Sequence, residues 1–126
     1  MSGKRRVFAA SPDQVSAARR WAAELLGPTH PAAEDCVLLL SETFTNAVLH
    51  GGGTRVEVCV QMGSDAVRVE VVDDGGRGLP HYVDDPRGEG GRGLPILRAL
   101  AKEWGFDVLP DGRLRVWFDV RETQAR

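Results

Sequence analysis

Apolar residues recur along this chain with two periods. From Pro31 to about His50 the period is helical, and Val37, Leu40, Phe44, Ala47 and Val48 share one side at about 100° per residue. After Gly51-Gly52-Gly53 it drops to two: Val56, Val58, Val60 and Met62 alternate with polar neighbours. Val67, Val69 and Val71 repeat that alternation beyond Gly63-Ser64-Asp65, so the pair predicts a hairpin. Upstream, residues 5–10 predict an edge strand. Ser11-Pro12-Asp13-Gln14 reads as a capping box with proline at the first helical position. The helix it opens turns Val15, Ala18, Trp21, Ala22 and Leu25 inward and stops at Gly27-Pro28. Downstream, residues 94–101 predict a short helix, and residues 104–109 and 114–120 a second hairpin around Asp111-Gly112. The order is strand, two helices, two strands, long loop, helix, two strands. It predicts one domain over residues 1–126, of the α/β class in its α+β two-layer form. A mixed, mostly antiparallel sheet would carry its helices on one face.

The helix ending at His50 carries a second signal. Glu42, Asn46 and His50 are spaced i, i+4, i+8 and stack along one line. Leu38, Leu39 and Leu49 flank that line, so the helix reads as apolar nearly all round and buried. A carboxylate and an amide inside it need partners, because unpaired burial costs several kcal/mol. With three glycines following at once, a pocket wall is expected rather than a solvated edge.

Composition narrows the function classes. A net charge of −2 over 126 residues gives no electrostatic case for nucleic acid or an anionic membrane. No apolar run approaches a membrane span, and no signal-peptide pattern opens the chain. Lys4-Arg5-Arg6 reads as a solvated strand end. Cys36 and Cys59 are isolated and read as buried free thiols of a cytoplasmic protein. His30, His50 and His81 lack zinc spacing with either.

From Asp73 to Gly93 the chain turns rich in glycine and charge, too long for an ordinary connection and of the kind that forms lids or binding loops. Two constellations lie there. In Val71-Val72-Asp73-Asp74-Gly75-Gly76-Arg77-Gly78, strand phase puts Asp73 inward with Val67, Val69 and Val71, and Asp74 outward with Arg68 and Glu70. An inward aspartate at a strand end can accept a hydrogen bond from a ligand amine, although a plain Asp-Gly turn is the commoner meaning. Gly88-Glu89-Gly90-Gly91-Arg92-Gly93 matches G-x-G-x-x-G by letters only, since no strand precedes it. It reads instead as a glycine-rich loop entering a helix at Leu94, where free N–H groups and Arg92 suit a phosphate.

Together these residues resemble a family. Glu42-x-x-x-Asn46, Asp73-x-Gly75 and Gly91-x-Gly93, in that order, look like the N, G1 and G2 boxes of the GHKL (Bergerat-fold) ATPases, whose members include gyrase, histidine kinases and MutL. SETFTNAVLHG and the closing WGFDVLPDGRLRVWFDV look closest to the anti-sigma factor serine/threonine kinases of the stand-alone actinobacterial type. The resemblance implies a Bergerat ATP-binding fold with ATP and Mg²⁺ as cofactors. It makes Asn46 the Mg²⁺ ligand and Glu42 the base that activates a hydroxyl. It gives Asp73 the adenine amino group and Gly75 the floor beneath it. Phosphate-binding amides would come from Gly91 and Gly93, and the segment 80–90 would be the ATP lid. His50, Gly78, Arg92 and Leu94 complete the candidate nucleotide contacts. Starting the first glycine box at Asp74 restores D-x-G-x-G, whereas strand phase favours Asp73, so both aspartates stand as candidates.

Phosphoryl transfer needs positioning and charge neutralisation more than covalent help, and this set can supply both. The expected activity is phosphorylation of a serine or threonine on an anti-anti-sigma antagonist, with sequestration of a sigma factor and a possible homodimer, all by resemblance. The alternatives are a non-catalytic nucleotide-binding protein that sequesters a regulatory partner, and an ATPase that hydrolyses ATP without a protein acceptor.

Overall fold

Alternation and helical periodicity are realised as a two-layer α+β structure. The computed structural model describes residues 2–75, 97 and 99–122. Its elements run β1 (Ser2–Ala9), α1 (Gln14–Leu26), α2 (Ala33–His50), β2 (Arg55–Met62), β3 (Ala66–Asp73), β4 (Glu103–Val108) and β5 (Leu114–Arg121). The strands form one sheet in the order β1-β2-β3-β5-β4. Every described pair is antiparallel, so the mixed sheet expected from the sequence contains no parallel pair here. Leu97, Ala99 and Leu100 are helical, and the Ala101 amide donates back to the Leu97 carbonyl.

The period-two pattern decides which face of the sheet is covered. Val56, Val58, Val60, Val67, Val69, Val71, Phe118 and Val120 are all buried, pointing at the helices. On that face α2 packs on β3, and α1 packs on α2 and reaches β1. Phe8 of β1 joins the layers, edge-on to Trp21 of α1 at 5.9 Å and to Phe44 of α2 at 5.7 Å. The opposite face is open to solvent and laced with bidentate pairs: Arg68 to Asp119 at 2.7 and 2.9 Å, Arg115 to Asp107 at 3.0 and 2.7 Å.

Several local expectations are corrected. The capping box does not form: the Ser11 hydroxyl donates to the Asp13 carboxylate, and the Gln14 amide goes to the Ser11 carbonyl at 3.0 Å. The short acidic side chain two residues on captures the hydroxyl before the helical amides can. On α1 Leu25 packs half-buried against the core as expected, and Leu26 is buried as well, beside Ala18 and Ala22. Strand β1 begins at Ser2 and ends at Ala9 instead of spanning residues 5–10. Cys59 is half-buried on the open sheet face, whereas burial, with Asp35 adding to it, pushes the Cys36 thiol up to about 12.

The largest correction concerns α2. It is not buried all round: Leu38 and Leu49 are 44% and 61% exposed. Its buried side is Cys36, Leu39, Leu40, Thr43, Phe44 and Ala47, while Val37 and Val48 are half-buried. One side of α2 meets the sheet and another meets α1, which leaves the third facing solvent.

Candidate functional site

Three kinds of position run along α2, and the polar line lies between two of them. Glu42, Asn46 and His50 are each half-buried, between the covered side at Leu39, Thr43 and Ala47 and the open side at Leu38, Thr45 and Leu49. Asn46 is the anomalous one. Its Oδ1 is buried and has no hydrogen-bond partner among the described residues. A buried amide oxygen without a partner costs free energy, and such atoms mark either strain or a missing ligand. Thr43, the buried polar neighbour, is satisfied instead, its hydroxyl donating to the Leu39 carbonyl at 2.9 Å.

The second component arrives on the sheet. Asp73 is the last residue of β3, paired laterally with Val56 and Leu114, and its residue is only 7% exposed. Its Oδ1 accepts the Gly75 amide at 2.7 Å. Burial raises its pKa above the ordinary carboxylate value; the Gly75 amide opposes this and the Asp74 charge adds to it. Oδ2 faces the end of α2, where a Cβ on Gly51 would come within 3.0 Å of it and 2.5 Å of the Ala47 carbonyl. Gly51 has ordinary helical angles, so glycine is required there for close approach and not for a left-handed turn. The contact seats the carboxylate about five residues along α2 from Asn46, roughly 7–8 Å at 1.5 Å per residue.

Gly75 closes the other side. Its φ is +76°, and a Cβ would lie 2.3 Å from the Gly112 carbonyl oxygen, so the strand end is packed directly on the β4–β5 turn. Asp74, the rival to Asp73, does different work. Its Oδ2 accepts the Thr54 and Arg55 amides at 2.9 and 3.3 Å, and a Cβ on Gly53 would collide with it. It clamps the α2–β2 connection from the other face of β3. Glu42, Asn46 and His50 thus lie along the C-terminal half of α2, and Asp73, held by the Gly75 amide, meets the end of that helix at Gly51. Gly78, Gly91, Arg92, Gly93, Leu94 and the segment 80–90 lie outside the described residues. Sequence reasoning missed the close-approach roles of Gly51 and Gly53, whose signal was a glycine triplet directly after a helix.

A model of the histidine kinase-like ATPase domain matches residues 8–117. The chain belongs to the histidine kinase-like ATPase family. The matched span takes in both helices, Asp73 and most of the sheet, and the family makes this an ATP-binding, kinase-like domain. Among similar proteins is blue-light-activated histidine kinase 2 of Erythrobacter litoralis (strain HTCC2594), 40% identical over 76 residues. That alignment covers 56% of this chain and 21% of the relative, so this chain matches about a fifth of that protein's length. No helix among the described residues is long and apolar enough to cross a membrane.

Proposed function

We propose that this histidine kinase-like ATPase binds Mg-ATP and phosphorylates a serine or threonine on a partner protein. In this reading it acts as a cytoplasmic, homodimeric anti-sigma regulatory factor. The acceptor is an anti-anti-sigma antagonist, and a sigma factor is the protein it sequesters. The observation that carries the proposal is the buried Oδ1 of Asn46, unpartnered among the described residues, one helical turn from Glu42 and about five residues from the contact with Asp73.

The residues present fit the cofactor. Mg²⁺ favours hard oxygen ligands and keeps phosphate and water in its shell, so one amide oxygen from the protein is a sufficient anchor. Bound Mg-ATP supplies the phosphoryl group and neutralises the charge that develops on it. Asn46 offers Oδ1 to the metal. Asp73 offers its carboxylate to the exocyclic amine of adenine, with its orientation fixed by Gly75 and Gly51. Glu42 takes the proton of an incoming serine or threonine hydroxyl, the work of a general base. The fold holds these groups on a helix and a strand end packed against one another, which supplies positioning in advance of the ligand.

Asn46→Ala tests the metal assignment. In titration calorimetry the wild type should bind ATP more tightly with Mg²⁺ than with EDTA. The variant should lose that increment, about tenfold for a ligand worth about 1.4 kcal/mol, and keep its metal-free affinity. Because the orphaned oxygen is removed, the ligand-free variant should melt no lower than the wild type. An unchanged Mg²⁺ increment would assign the metal elsewhere.

A further inference from the structure

The open side of α2 lies directly beside Glu42. Glu34, Leu38 and Glu42 follow one another at i, i+4, i+8, an acidic–apolar–acidic line, and Thr45 and Leu49 continue the exposed side toward the C-terminus. Leu38 and Leu49 are two of the four large hydrophobic residues exposed among the described residues. Leu38 also borders a groove of about 560 Å³ between α1 and α2, whose lining includes Ala23, Pro28, Val37, Ser41, Glu34 and Arg19. Neither Glu34 nor Glu42 has an ion-pair partner among the described residues.

We infer that this face, from Glu34 through Leu38 to Leu49 with the α1–α2 groove beside it, is where the protein acceptor docks. It takes an apolar side chain of the acceptor on Leu38 and basic groups of the acceptor beside Glu34. The inference rests on the phosphotransfer reading above and adds to it the kind of surface the acceptor must present. A hydroxyl that hands its proton to Glu42 must come within about 3 Å of that carboxylate. Residues one turn away on a helix stand about 5–6 Å off. A protein carrying that hydroxyl therefore covers Leu38 whenever it reacts. Covering an exposed leucine stabilises the encounter, and an exposed carboxylate such as Glu34 favours a cationic neighbour and disfavours an acidic one. A second copy of the chain is a poor occupant, since a two-fold contact here would set Glu34 and Glu42 of one copy near those of the other.

Steady-state transfer of labelled phosphate from ATP to a purified anti-anti-sigma protein tests this with Leu38→Asp and Glu34→Lys. Each should raise KM for the acceptor by about tenfold or more, the scale of a central contact residue. Both kcat and the ATP Kd should stay within about twofold of wild type. Leu38→Ala keeps the helix strong and should give a smaller shift in the same direction, and the Glu34→Lys effect should shrink at high salt. An unchanged acceptor KM in both charged variants, with wild type active, places docking elsewhere and leaves the phosphotransfer reading intact. An equal loss of ATP affinity means the substitutions act on the fold, which also overturns the inference. A wild type that labels no protein removes the phosphotransfer reading itself, and the docking face with it.

Discussion

Asp73→Asn is expected to weaken ATP binding by about tenfold or more while leaving the ligand-free protein at least as stable as wild type. The carboxylate is nearly covered and, among the described residues, its hydrogen bond comes from the Gly75 amide. Asparagine keeps an oxygen for that amide but removes the ionised acceptor offered to adenine. A charge-assisted hydrogen bond is worth about 1.5–3 kcal/mol, or roughly ten- to hundredfold in affinity. Stability should move the other way because burial disfavours the ionised form. The folded chain holds the Asp73 proton to higher pH than the unfolded chain, whose carboxylate titrates near the ordinary value of 3.8. Between that value and the raised folded one, the folded state binds more protons, so this group's contribution falls as pH rises across the window. Above it the cost is complete. Asp73→Asn should abolish that slope in thermal melts taken across the acidic range. Asp74→Asn should leave ATP affinity within about twofold, since its carboxylate serves the Thr54 and Arg55 amides. The reverse outcome in calorimetry would make Asp74 the adenine ligand.

Glu42→Ala should reduce transfer to the protein acceptor by about 10²–10⁴-fold, the usual contribution of a general base. ATP affinity should change little, because Glu42 stands a full turn along α2 from Asn46, on the side away from the Asp73 contact. Glu42→Gln should behave alike, retaining shape and losing basicity. A variant with the full transfer rate would leave positioning alone to account for catalysis.

The sheet was legible because strand periodicity is unambiguous. Once Val67, Val69 and Val71 are inward, a two-residue repeat carries Asp73 to the same side, and it is indeed buried. Helix α2 was harder to read. Its pattern separates faces but does not say what covers each, so Leu38 and Leu49 read as buried although both are exposed. Gly51 was opaque for a different reason: its requirement for glycine comes from Asp73, twenty-two residues away in sequence and on another element. The Ser11 cap failed on a local competition that a motif pattern ignores. Asn46 was legible in type and spacing, whereas its missing partner could be seen only in three dimensions.

The central claim is that the phosphoryl group of ATP goes to a hydroxyl on another protein. Its most direct test is the chemical stability of the product formed from γ-labelled ATP, Mg²⁺, this protein and a purified anti-anti-sigma protein. The account predicts label on the partner as an acid-stable phosphate ester of serine or threonine, absent with Glu42→Ala. Acid-labile label on a histidine, or release of free phosphate alone, would contradict it.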